Sequence, residues 1–166
     1  MATRLPCGMM CRYLDRLPER LVVEGFRRWM QGCDRGSVAC WEMAANLFTE
    51  EFGLIEGHRM LGELVQWVDA LRAGMDHPAD LSPYECPRLC RDECVAVAMI
   101  AASQSGDAKS LSTAVNAFVR PEARDATMRA AQAFAHALAE TGLILIPVPD
   151  AVIRDVAEWP GRQQFH

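Results

Sequence analysis

No stretch of this 166-residue chain stays apolar for the ~20 residues that a membrane-spanning helix needs. The longest candidate, residues 142–148, is short and broken by proline. The first twenty residues, MATRLPCGMMCRYLDRLPER, lack a clean apolar signal core. A cytoplasmic protein without a membrane span is therefore expected. The chain also lacks the motifs that announce common chemistries. It has no GxSxG elbow, Walker A loop, dinucleotide fingerprint, HExxH or EF-hand loop. It lacks positive charge as well. A net charge of −5 speaks against a general nucleic-acid binder. The balance is uneven, because residues 1–40 carry seven arginines against four acids. Arg12, Arg16, Arg20, Arg27 and Arg28 could form a basic patch, although such a run is commonly a solvated helix face.

What is present is apolar residue, at 51% of the sequence, enough for one domain of this size to build a core without staples. The apolar positions recur at steps of three and four, which is the helical period. Pro18 opens a first helix near Leu17, ended by Gly32. Ser37 caps a second, ended by Gly53. A third runs from about Glu56 to Ala73. After the connection MDHPADLSP, the stretch Ser82–Gln104 should hold the most buried helix, starting at Ser82–Pro83 or at Cys86–Pro87, or as a short turn followed by a kink at Cys86–Pro87. Two further helices follow, over Ser110–Val119 and from Pro121 to Gly142. LILIPVP, at 143–149, reads as an extended buried strap because a lone, proline-interrupted strand has nothing to pair with. Asp150 should cap a short last helix. The expected fold is all-α, a compact bundle of six to seven helices in a single domain over 1–166. Residues 1–16 form an N-terminal arm and residues 161–166 a frayed tail.

Seven cysteines are many for this length, and their odd number argues against a disulfide framework. Cys86, Cys90 and Cys94 are spaced four apart, which would place their thiols near one face of a helix. Thiolates bind zinc, iron or copper. Three thiols on successive turns span about 12 Å, too far for one ion, so a pair such as Cys90 and Cys94 would need partners. His77, Cys33, Cys40, Cys7 and Cys11 are the available ones. The spacing differs from the C-x2-C knuckle of structural zinc sites, and buried cysteines often serve only as small apolar residues. The candidate metal ligands are Cys86, Cys90, Cys94 and His77.

His136 and Glu140 are four apart but lack the further partners of a di-iron site, so a semi-buried, satisfied histidine is expected. The carboxylates of Glu42, Glu50, Glu51, Glu56 and Glu63 could do acid/base work only if they converged. Trp29, Trp41 and Trp67 are candidates for a pocket or a protein interface. The functional expectation is a small regulatory or accessory protein acting through a helical interface, by self-association into a homodimer or with a protein partner. A cysteine cluster responsive to a soft metal or to redox state would be its switch. The alternatives are a bundle enzyme using a cysteine or a carboxylate, and a purely structural interaction module.

Overall fold

The computed structural model describes residues 13–159, and within them every regular element is helical. Seven α-helices follow in order: α1 (Leu17–Arg35), α2 (Val38–Phe52), α3 (Leu54–Gly74), α4 (Arg91–Ser105), α5 (Ala108–Phe118), α6 (Arg124–Glu140) and α7 (Asp150–Ala157). A single 3-10 turn, Pro121–Ala123, leads into α6. No helix among the described residues is long and apolar enough to cross a membrane.

The core forms around α4, whose residues Val95 to Ala102 are all at most 3% exposed. A helix that is apolar on every side can only be stable when neighbours cover it all round. Here α1, α5, α6 and α7 do so, while α3 lies between α2 and α6. The alanines of α4 let these neighbours approach closely. Aromatic rings fill the space between α1, α3 and α6. Phe26 meets Trp67 at 5.7 Å between ring centroids, and Trp67 stacks on Phe134 at 5.6 Å. Trp67 is 0% exposed, and its indole N–H donates to the Met99 sulfur at 3.4 Å. It is a core residue, and no surface for a partner includes it.

Several boundaries differ from the sequence expectation, each for a physical reason. Gly32 does not end α1, which continues to Arg35 and closes on Gly36 at φ 61°. Gly32 serves packing instead, because a Cβ there would lie 2.5 Å from the Trp41 ring. The buried helix starts at Arg91, with Cys90 as its N-cap, and neither expected start is used. Ser82 and Cys86 each precede a proline, which disfavours helical geometry, and the backbone of 80–90 is drawn to side chains of α1 and α4. Pro149, not Asp150, is the N-cap of α7; the Asp150 carboxylate accepts from the Thr113 hydroxyl instead. Ser37 caps α2 as expected.

The expected strap runs extended over 143–149 between α6 and α7, but it is not buried as expected: only Leu145 is inserted into the core, while Ile144 and Ile146 are 51% and 41% exposed. Side chains replace a partner strand. Gln104 accepts from the Leu145 N–H at 2.8 Å, Glu19 accepts from the Ile146 N–H at 2.8 Å, and Arg16 donates to the Ile144 carbonyl at 2.9 Å. Of the expected arm, Tyr13 and Leu14 pack against the core. Its first twelve residues and the tail at 161–166 lie outside the described residues.

Gly53 alone joins α2 to α3, and the tight hairpin it makes sets a constraint on α3. A Cβ on Gly57 would stand 2.6 Å from the Thr49 Cα and 2.7 Å from the Phe48 carbonyl oxygen, whereas one on Gly62 meets nothing within 4 Å. Gly57→Ala should therefore destabilise the protein by about 1–3 kcal/mol through forced separation of backbones. Gly62→Ala should stabilise it by about 0.5–1 kcal/mol through helix propensity. Urea denaturation of both variants checks the opposite signs.

Candidate functional site

Two features lie against α4, one polar and one apolar. The polar one begins with Arg27 on the inner face of α1. Its guanidinium forks onto Glu93 in the first turn of α4, with Nε to Oε1 at 2.7 Å and Nη2 to Oε2 at 2.9 Å. Both side chains are sealed, at 2% and 0% exposure. The remaining donors of Arg27 reach the carbonyls of Cys86 at 2.9 Å and Arg88 at 2.7 Å. Glu93 also accepts the backbone N–H groups of Ser82 at 2.8 Å and Cys90 at 3.0 Å. Beside it, Asp92 accepts the Asp80 N–H at 2.7 Å. Burial alone would pull the Arg27 pKa down, but the hydrogen bond and charge of Glu93 outweigh it and hold the guanidinium even more firmly protonated. These ionised groups are saturated by one another and by backbone, so they fasten the loop between α3 and α4.

The three expected thiols sit along the same segment but do not share a helix face. Cys86 is in the loop, Cys90 is the N-cap, and only Cys94 lies within α4. The Cys90 thiol donates to the Asp80 carbonyl. Burial pushes Cys90 up to about 12, with the Glu93 charge adding to it. Burial likewise raises Cys94 to about 12, reinforced by Cys90 and Glu93. Nucleophilic attack needs the thiolate, and burial holds these two as thiols at neutral pH. His77 is exposed in the loop, with Nδ1 2.7 Å from Asp76. Among the described residues no group of three His, Cys, Asp or Glu side chains is placed to hold a metal ion. Cys33 and Cys40 are half-buried free thiols, and Cys7 and Cys11 lie outside the described residues.

The other expected clusters also disperse. Arg27 is buried, Arg28 lies over the Tyr84 ring with its head 4.6 Å from the centroid, and Arg16, just ahead of α1, pairs with Glu19, so these three form no common patch; Arg12 lies outside the described residues. His136 is 77% exposed rather than semi-buried, and shares Glu140 with Arg59. Glu42, Glu50 and Glu51 face solvent. Trp29 and Trp41 are half-buried and pack on each other at 5.7 Å.

The apolar feature was not foreseen. Between α4 and α7 is a cleft of about 200 Å³, half open to solvent. Cys94, Val95, Val97 and Ala98 form its α4 wall, and Val152, Ile153 and Val156 its α7 wall. Tyr13, Leu89, Val148 and Trp159 complete the lining. Arg91 ties the two helices together through the Ala157 carbonyl at 2.9 Å. Apart from the Cys94 thiol, the lining is almost wholly hydrocarbon. The Tyr13 hydroxyl oxygen is sealed from solvent and has no hydrogen-bond partner among the described residues. Burial, then the charges of Glu19 and Cys94, hold its phenol above the usual range, so it remains a protonated donor. Chain residues 13, 89, 94, 148 and 159 are too scattered for any sequence spacing to group them. The one available signal was an alanine- and valine-rich α4 facing a short amphipathic α7.

Two predictions follow from these placements. Arg27→Met should destabilise the fold by about 3–5 kcal/mol, since it strands the buried Glu93 carboxylate, and denaturant midpoints will read it. The thiols carry a pH signature. Below the ordinary thiol value of 9.0 both states keep their protons. Above it the unfolded chain ionises while native Cys90 and Cys94 do not, so stability should fall as pH rises from about 9 towards 12. Melting curves across that window should flatten for Cys94→Ala.

No protein-family model, curated protein or solved structure matches this chain.

Proposed function

We propose that this protein is a small regulatory or accessory protein that binds a compact apolar molecule in the cavity between α4 and α7. The observation that carries this is the cavity itself, about 200 Å³ and walled by valine, isoleucine and alanine. Enclosed apolar cavities of roughly 150 Å³ accept benzene-sized guests, and this half-open cleft has room for one of similar size. Concave apolar sites with very few polar groups are the usual form of small-molecule sites. Burying about 150–200 Å² of ligand at about 25 cal/mol per Å² supplies roughly 4–5 kcal/mol, which corresponds to dissociation constants on the order of 0.2–1 mM. A natural ligand with better shape or polar complementarity would bind more tightly.

A ligand there bridges α4 to the elements that close over it: α7, the strap at Val148, and Tyr13 ahead of α1. Ligand binding to the assembled form alone stabilises it by mass action, which is how occupancy would reach a partner. A regulatory role through bound metal or thiol oxidation at Cys86, Cys90 and Cys94 has less support, because the three thiols share no helix face and, among the described residues, no three ligands are placed around one ion. Enzyme chemistry based on Cys90 with Glu93 has less still, since Arg27 and two backbone N–H groups occupy that carboxylate.

Indole titrated into the full chain tests the proposal. Saturable heat in calorimetry and a rise in Tm are expected in the wild type. Both should vanish in Ala98→Leu, which fills the cavity from the α4 wall while the variant still melts cooperatively. Absence of saturation up to several millimolar, or equal binding by Ala98→Leu, would overturn it.

A second reading, docking of another protein or a second copy on the outer corner of the bundle, is favoured by Leu54 and Ile55. They are 68% and 86% exposed in the first turn of α3. Under that reading, sedimentation at high concentration should show a dimer that Ile55→Asp dissolves.

A further inference from the structure

The apolar cleft between α4 and α7 continues into a second space at one end. Resting on the ligand-pocket proposal above, we infer that its ligand is a short single-chain amphiphile. The alkyl tail lies along the apolar cleft, and the polar head sits in the space that adjoins it at Leu89 and Trp159. These two residues line both spaces, so the two are continuous. The second space, about 440 Å³, differs in character, since Asp80, Ser82, Cys86, Arg88 and Arg91 line it. One end of the hydrocarbon wall therefore gives onto charged and hydroxyl-bearing residues. Farther along, Ala98 on α4 and Val152 on α7 keep the lining hydrocarbon.

The helix pair sets the length of the tail. Arg91 donates to the Ala157 carbonyl at 2.9 Å, which puts the start of α4 beside the end of α7. From Arg91, on the polar space, to Ala98, on the apolar cleft, α4 rises about 10 Å. An extended chain advances about 1.2 Å per bond, so roughly eight carbons cover that distance. A ring-sized molecule leaves part of the wall uncovered, and each further CH2 laid along it adds apolar burial. A chain apolar at both ends would press one of them against arginine and aspartate, whereas a polar end keeps its hydrogen bonds there. Arg91 is paired with Asp92 at 2.7 Å, and Asp80 shares the space with Arg88. Both signs of charge are thus present, and the head needs polarity rather than one particular charge.

Calorimetry on the full chain compares 1-butanol, 1-hexanol and 1-octanol with indole. Affinity should rise roughly 2- to 4-fold with each CH2 from butanol to octanol, and octanol should displace indole. The head is located with N-octyl chloroacetamide, whose chloride a cysteine thiol displaces, forming a carbon–sulfur bond and losing its proton to water. Cys86 lines the head space and Cys94 the tail cleft. Mass spectrometry should show Cys86 alkylated with saturation, roughly 10-fold or more faster than by N-methyl chloroacetamide, and protected by octanol. Cys33 and Cys40, which line neither space, should react with the two reagents at similar rates. If indole binds but octanol binds no better than butanol, the amphiphile inference is overturned while the pocket stands. The same holds if Cys86 gains no rate over the N-methyl reagent. If neither indole nor octanol binds, the pocket proposal itself falls, and this inference with it.

Discussion

The forked ion pair between Arg27 and Glu93 joins α1 to α4 and fixes the whole path between α3 and α4. Fifteen residues of proline-rich chain, from Asp76 to Cys90, have almost no regular structure of their own. Their buried backbone groups need partners, and Arg27, Asp92 and Glu93 supply them at Asp80, Ser82, Cys86, Arg88 and Cys90. A lone buried charge would be intolerable, but two that neutralise each other and then spend their remaining valences on backbone are not. The same device recurs at the other end of α1. Glu19, fully buried, holds the strap through Ile146, and Arg16 holds it through Ile144. One helix thus anchors both irregular segments with ionised side chains.

In this arrangement the buried acids Glu19, Asp92 and Glu93 are each engaged by side chains and backbone N–H groups around them. The thiols, next to Glu93 and out of water, are kept protonated by the same burial that makes the clamp strong. What remains unspent is apolar space. The cavity between α4 and α7 exists because α4 carries valine and alanine where longer side chains would have filled the gap. Tyr13 and Trp159 close it from the two ends of the described chain.

Much of the bundle was legible from periodicity and punctuation. The positions of α1, α2, α3, α5 and α6 followed from apolar steps of three and four, from Ser37, and from glycines at helix ends. Ser82–Gln104 reads as the stretch holding the most buried helix, because continuous apolarity requires cover on all sides. Its start does not read from local sequence. Local capping rules favoured Ser82 or Cys86, but Glu93 competes for those backbone N–H groups across the loop. Gly32 was misread for a similar reason: a glycine that admits the Trp41 ring looks, in sequence, the same as one that ends a helix.

By itself the sequence determined the all-α class, the approximate helix register and the identity of the central helix, since these depend on periodic apolarity within fifteen or twenty residues. It could not decide where ionised and thiol side chains would lie. Arg27 and Glu93 are 66 positions apart, and neither carries a local sign of burial. Only the tertiary structure separated Cys86 from Cys90 and Cys94, drew Trp67 into the core, and brought Tyr13 and Trp159 to one apolar cleft. Such convergence depends on how whole helices cross, and the spacing along any single one does not encode it.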